Sequence, residues 1–224
     1  MNNIFDKADY VKRFVEKGED ENPVYSPMDP PDSYRPPAID AVPYEELHPV
    51  LRLFTDEHKS TMEQLEVFEK TLQEIRSEGI NKERNTKLGE FFQFLDDRIV
   101  LHNLKEERIL FPILHDCLLE KGEHSTGEIP ETAVDMLEND HIKMMQLVTL
   151  IFNMMGVSSR LTDPVSSAVL VDMAVEQGNS LVELLRLHIF REENVVFPLA
   201  QKYLSTDDFA GMVYKMNKYF SVQL

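Results

Sequence analysis

Two short segments of the chain repeat the same histidine, glutamates, phenylalanine and proline in the same register. Residues 102–112 read HNLKEERILFP, and residues 188–198 read HIFREENVVFP. A further histidine that follows an acidic residue precedes each copy, His58 in the first half of the chain and His141 in the second. Imidazole nitrogens and carboxylate oxygens are the donors that proteins use to bind first-row transition metals. The repeat therefore points to metal chemistry.

The spacing of these residues indicates that they share one buried site. In each copy histidine precedes glutamate by four positions, so an α-helix places both on one face. A carboxylate at a core position is costly unless it is paired or coordinated, and we find no Lys or Arg on the same apolar stripes. Two divalent cations would satisfy all six groups. The predicted metal ligands are His58, His102, Glu106, His141, His188 and Glu192.

Each element has a simpler interpretation when it is taken alone. A single buried histidine is usually a hydrogen-bonded core residue, and a single HxxxE is usually a surface ion pair. Four helices that each offer a histidine on the buried stripe favour the metal site. Four acidic neighbours of the predicted ligands stay open between ordinary surface charges and acceptors that orient the imidazole N–H groups: Glu57, Glu107, Asp140 and Glu193.

Four helical segments must position these residues. From residue 47 onward apolar side chains recur at steps of three and four, with breaks at 77–82, 121–130 and 156–164. Strand signals are nearly absent. The pattern predicts an all-α fold, an antiparallel up-down-up-down four-helix bundle over residues 47–204. Pro112 and Pro198 are expected to kink or end their helices just beyond the site.

The two ends of the chain differ from the bundle. Seven of the twelve prolines lie in the first 43 residues, so residues 1–46 are predicted to form a short amphipathic N-terminal helix followed by an extended proline-rich arm. Residues 205–224 are predicted to form a short C-terminal helix that Ser205 or Thr206 caps.

Composition excludes several classes of function. The 224 residues carry a formal net charge of −17, which disfavours nucleic acid or an anionic membrane as partner. No apolar run approaches the ~20 residues that span a bilayer, and the N-terminal residues lack the apolar core of a signal peptide. A single cysteine, Cys117, excludes an internal disulfide framework. We expect a cytoplasmic protein without an organic cofactor, since no glycine-rich nucleotide motif is present.

The motifs EH at 57–58, HxxxEExxLFP at 102–112, DH at 140–141 and HxxxEExxVFP at 188–198 resemble the hemerythrin-like, or HHE, cation-binding family. The resemblance implies a hemerythrin-like four-helix bundle around a non-haem di-iron centre. It also implies that Glu106 and Glu192 bridge two Fe ions, with the histidines as terminal ligands. Ferritin-like bundles instead place Glu before His in an ExxH motif. Manganese or zinc could occupy the same groups.

One departure from the family bears on function. Oxygen-carrying hemerythrins use five histidines, and the position of the additional one is Met145 here. The set of four histidines and two glutamates resembles that of bacterial di-iron proteins implicated in iron-centre repair and the nitric oxide response. Those proteins usually carry a cysteine pair that this chain lacks.

Three functions follow from this resemblance. The first is a redox-active di-iron protein that binds or reacts with O2, peroxide or NO, with a redox protein as a possible partner. The alternative is a di-iron sensor or binding module that signals to a protein partner without turnover. An iron store ranks last.

Overall fold

The structure, a computed structural model, describes residues 41–220. This part of the chain contains five α-helical elements, one 3-10 turn at Tyr44–Glu46 and no strand. The predicted N-terminal helix, most of the proline-rich arm and residues 221–224 lie outside the described residues. No described helix is long and apolar enough to cross a membrane. The helices are α1 (Pro49–Glu78), α2 (82–121), α3 (Ala133–Ser158), α4 (164–203) and α5 (Thr206–Phe220).

Capping residues start the helices close to the predicted breaks. The His48 ring nitrogen accepts a hydrogen bond from Val50 N at the start of α1. Thr132 forms a capping box with Asp135 at the start of α3. Ser205, rather than Thr206, precedes α5, and its hydroxyl accepts a hydrogen bond from the backbone N–H of Asp208. These caps satisfy N–H groups that the first turn of a helix leaves free.

Two apolar clusters fill the bundle, and the six predicted ligands lie between them. On α1, Phe54 of the first cluster precedes His58, and Leu65 of the second cluster follows it. On α2 the second cluster comes first, and the order reverses again on α3 and on α4. This alternation is the signature of antiparallel packing, so the bundle runs up-down-up-down as predicted.

Helices α2 and α4 contain π-helical turns at the site. One spans Glu106–Leu110 and the other Glu192–Val196, so each begins at a predicted glutamate ligand. Pro112 and Pro198 lie just beyond these turns, yet α2 and α4 continue past them. Of the two alternatives expected for these prolines, a kink or a helix end, the helix end is therefore wrong. A π-turn shifts the hydrogen-bond register by one residue, which accommodates the N–H that proline lacks, and such turns are frequent at functional sites.

A glycine inside α4 allows α1 to approach closely. A Cβ atom at Gly178 would lie 2.7 Å from Leu72 Cδ1, closer than packed carbons tolerate. A larger side chain at Gly178 would therefore force the Leu72 methyl groups on α1 to move.

Candidate metal centre

The structure brings all six predicted ligands into one buried cluster. Their side chains form two histidine pairs, each contributed by one helical hairpin. His58 Nε2 lies 3.2 Å from His102 Nε2, and His141 Nε2 lies 3.2 Å from His188 Nε2. Each of the six residues is at least nine-tenths buried, and both glutamates are completely buried.

The two glutamates connect the histidine pairs. Glu192 Oε2 lies 2.8 Å from His58 Nε2, and Glu192 Oε1 lies 3.0 Å from His188 Nε2. Glu106 Oε1 lies 3.4 Å from His102 Nε2, and Glu106 Oε2 lies 3.5 Å from His141 Nε2. Each carboxylate therefore offers one oxygen to each pair, which is the arrangement that a bridging carboxylate requires.

The buried carboxylates face only the imidazoles of the cluster. Across residues 41–220, the buried side-chain atoms that make no well-aligned hydrogen bond are all four carboxylate oxygens of Glu106 and Glu192 together with His188 Nδ1, although the Glu192 oxygens lie within 3.0 Å of imidazole Nε2 atoms. Such unsatisfied groups are rare in native proteins because each carries its full desolvation cost. Donor atoms of His141, His188, Glu106 and Glu192 lie within 4.8 Å of one another, as do donor atoms of His58, His102 and Glu192. A cation at each histidine pair would therefore bind two imidazole nitrogens together with carboxylate oxygen.

A second layer of carboxylates orients three of the four histidines. The Nδ1 atom of His58 donates to Glu193 at 2.9 Å, and that of His141 donates to Glu107 at 2.8 Å. His102 Nδ1 donates to Glu57 at 2.8 Å. Because an ionised carboxylate only accepts, these contacts place a proton on Nδ1 and turn Nε2 toward the cluster, where it can bind a metal ion once it has lost its own proton.

The fourth histidine differs from the other three. Asp140 Oδ2 lies 3.8 Å from His188 Nδ1, too far for a hydrogen bond, and instead accepts one from Arg191 at 2.6 Å. Three of the four acidic neighbours, Glu57, Glu107 and Glu193, thus accept a hydrogen bond that orients an imidazole ring. Asp140 pairs with arginine.

Two basic residues escaped the sequence analysis. Lys105 is buried and pairs with Glu57. Arg191 occupies the same position in the second copy of the repeat and pairs with Asp140. Both compensate carboxylates of the second layer and neither pairs with Glu106 or Glu192. A base three residues after the repeated histidine was a visible signal, so the premise that no Lys lies on the buried stripes was wrong.

The repeated phenylalanine also has a role at the site. Phe197 stacks on the His58 ring with centroids 5.7 Å apart, and Phe111 stacks on His141 at the same separation. Each phenylalanine comes from the helix that supplies Glu192 or Glu106, so one motif provides both a carboxylate and a wall for a facing imidazole. The apolar wall limits ring rotation and access of water.

Metal-free, the cluster retains protons. Burial lowers the pKa of His102, but Glu106 and Glu57 outweigh it and raise that pKa to about 10. Burial likewise opposes the charge of His188, and Glu192 and Asp140 raise its pKa to about 10. Against the opposing effect of burial, His188 and His58 hold the pKa of Glu192 well below its usual value. A metal ion must displace these protons, so its affinity rises with pH.

The different contacts of Glu107 and Asp140 predict different losses of metal affinity when each carboxylate is removed. Removing Glu107, which accepts from His141, is expected to weaken metal binding by about 10–100-fold, the usual effect of losing such a partner. Removing Asp140, which acts on His188 across 3.8 Å without a hydrogen bond, is expected to cost less than about tenfold. Competition of metal-free Glu107→Ala and Asp140→Ala proteins against a chelating indicator measures both affinities. Equal losses would contradict the assigned contacts.

Comparison with known proteins agrees with this geometry. The family model of the hemerythrin HHE cation binding domain matches residues 50–200, which include all six clustered residues. The chain belongs to the hemerythrin HHE family. Its hemerythrin domain thus comprises the four helices α1 to α4, and the predicted hemerythrin-like fold is confirmed.

Curated relatives share this domain at low identity. The chain is 26% identical over 162 residues to "Iron-sulfur cluster repair protein YtfE" of Salmonella paratyphi B (strain ATCC BAA-1250 / SPB7), which covers 71% of this chain and 67% of the relative. The proteins of the same name from Salmonella newport (strain SL254) and Salmonella heidelberg (strain SL476) match with the same identity and coverage. No solved structure matches the chain significantly.

The hemerythrin domain departs from the five-histidine pattern at an accessible position. Met145 is about half exposed, and it borders a surface groove that also reaches His141. The residue at this position therefore faces an opening beside the His141 and His188 pair.

Proposed function

We propose that the protein is a non-haem di-iron protein that binds or reacts with O2, peroxide or NO. The observation that carries the proposal is the position of the two buried carboxylates. In both Glu106 and Glu192, one oxygen faces the first histidine pair and the other oxygen faces the second pair. Two irons held in this way would supply the redox and ligand-binding chemistry that the side chains lack. Manganese or zinc is a competing occupant of the same donors.

The chain's own residues prepare the cluster for this use. The second-layer carboxylates hold three imidazoles with Nε2 toward the cluster, and the two phenylalanines and the apolar clusters surround it. Four histidines and two carboxylates leave each iron with fewer than six protein ligands, so exogenous ligands have room to bind. This count favours reaction with a small oxidant over saturation by the protein.

The relatives support a role in stress response. Their name describes iron-sulfur cluster repair, and they align with this chain over 162 residues. We propose a related role here, in redox or nitrosative stress or in iron-centre repair, in the cytoplasm and with a redox protein as electron partner. A sensor that signals without turnover is the alternative function.

Titration of the reduced, iron-loaded protein tests the reaction. When NO, peroxide or O2 is added to an initially anaerobic solution, the visible absorption is expected to change in proportion to the bound iron. The His102→Ala protein, which lacks one buried donor, is expected to give at most about half of that change per chain. Stopped-flow mixing at several oxidant concentrations then separates binding from turnover. Iron-loaded wild-type protein that is spectroscopically inert to all three reagents would falsify the proposed function.

A further inference from the structure

Two openings in the surface of the bundle reach the metal centre. A groove between α2 and α3, with a volume of about 830 Å³, is lined in part by His141. A smaller pocket beside α1 and α2, with a volume of about 210 Å³, is lined in part by His102. Each opening therefore leads from the solvent to one of the two histidine pairs, and the charges around the two openings differ.

The groove is acidic beside His141. Glu107 lines the groove and contacts the His141 ring. Glu138 is exposed and lies three residues before His141, on the same face of α3. Burial, together with the negative charges of Asp135 and Glu107, raises the pKa of Glu138, so these carboxylates lie close to one another. In the described part of the chain, neither Glu107 nor Glu138 forms an ion pair with Lys or Arg.

The pocket beside His102 has no such excess of negative charge. Its lining carries two bases and two acids, which are Arg98, Lys105, Glu57 and Asp97. Lys105 is buried and pairs with Glu57. Because the bases balance the acids, the pocket offers a cation little attraction, and the Lys105 ammonium repels it. Charge therefore favours the groove over the pocket as the path of a metal ion.

The histidine pair beside the groove also has the larger set of donors. Four side chains there have donor atoms within 4.8 Å of one another, whereas the pair beside the pocket has three. The walls of the groove are mostly apolar and include Leu104, Ile142 and Met145. Such walls offer no charged ligand that would retain an ion, so the first strong donors on this path are those beside His141.

We propose that the groove is the path by which a divalent metal ion enters the centre, at the His141 and His188 pair. Glu107 and Glu138 attract the hydrated ion to the inner end of the groove, where it exchanges water for the buried donors. The volume of the groove is large enough for an ion with several water molecules. The inference rests on the metal centre of the proposed function and concerns its loading, which is measured without any reaction with O2, peroxide or NO.

The rate of metal uptake tests this path when the same charge is placed in each opening. Met145 in the groove and Leu101 in the pocket are each 47% exposed. Stopped-flow mixing of metal-free protein with Co²⁺, whose visible absorption reports binding, measures the rate. At low ionic strength Met145→Lys is expected to slow uptake at least about tenfold, and Leu101→Lys less than about twofold. Glu138→Gln is expected to slow uptake about threefold.

Controls separate charge from a change of fold. Met145→Gln adds no charge and is expected to take up Co²⁺ at nearly the wild-type rate. The effect of Met145→Lys is expected to shrink in about 0.15 M salt, since the Debye length falls to about 8 Å. Circular dichroism and the final metal content show that the variants are folded and can be loaded.

The outcomes for the path and for the proposed function are distinct. Wild-type uptake by folded Met145→Lys, equal slowing by Leu101→Lys, or equal slowing by Met145→Gln would overturn the proposed path. A wild-type protein that binds no Co²⁺ would refute both the path and the centre. The expected uptake rates in a protein that is inert to O2, peroxide and NO would support the path and refute only the proposed reaction.

Discussion

Glu106→Ala is expected to remove both metal ions, whereas His102→Ala is expected to remove mainly one. The Glu106 carboxylate offers one oxygen to each histidine pair, so its loss deprives both positions of a donor. His102 Nε2 faces only its own pair, with His58. We therefore expect metal content to fall from about two ions per chain to nearly none in Glu106→Ala, and to about one in His102→Ala.

Matched variants keep this comparison interpretable. Glu192→Ala removes the equivalent carboxylate of the other copy and is expected to behave as Glu106→Ala does. Glu183→Ala removes an exposed carboxylate of α4 outside the cluster and is expected to keep both ions. Elemental analysis after gel filtration, with circular dichroism to confirm helix content, measures all four proteins. A Glu106→Ala protein that keeps one tightly bound ion would show that this carboxylate does not bridge.

Metal removal is expected to lower the unfolding midpoint by about 10 °C. An ion present at a thousand times its dissociation constant adds about 4 kcal/mol of stability. Each kcal/mol shifts the midpoint of a chain of this size by about 2–4 °C. Without the ion, the two completely buried carboxylates must be compensated by protonated histidines alone. Scanning calorimetry of loaded and chelator-treated protein measures the difference.

The stabilisation by metal is also expected to grow with pH. The pKa of His102 and of His188 is raised from 6.5 to about 10 in the metal-free fold. Their protons therefore stabilise this fold fully below about pH 6.5, and the contribution is lost progressively as the pH rises toward 10. Bound metal replaces those protons, so the loaded protein escapes the loss. A midpoint difference that shrinks between about pH 6 and about pH 8 would refute this linkage.

The repeat made most of the fold and the cluster predictable. Apolar residues at helical spacing located four helices, and the two HxxxEE copies placed His102 and His188 on buried stripes. Residues on the buried stripes of four antiparallel helices must meet in the bundle's interior. All six predicted residues do so because each lies between the same two apolar clusters.

The side-chain contacts between helices could not be predicted from the sequence. Glu57 orients His102 on α2 rather than its own neighbour His58, and Glu193 on α4 orients His58. Such pairings depend on the rotation of one helix against another, which local spacing does not encode. The π-turns and the groove between α2 and α3 depend in the same way on the packing of whole helices.

Metal content of the wild-type protein, purified both in air and without it, tests the central claim most directly. We expect about two iron ions per chain in the anaerobic preparation, bound by four histidines and two shared carboxylates. Elemental analysis counts the ions, and X-ray absorption at the iron edge reports their nitrogen and oxygen donors. Little or no metal in both preparations would contradict the account and would leave the cluster as a buried, protonated polar core.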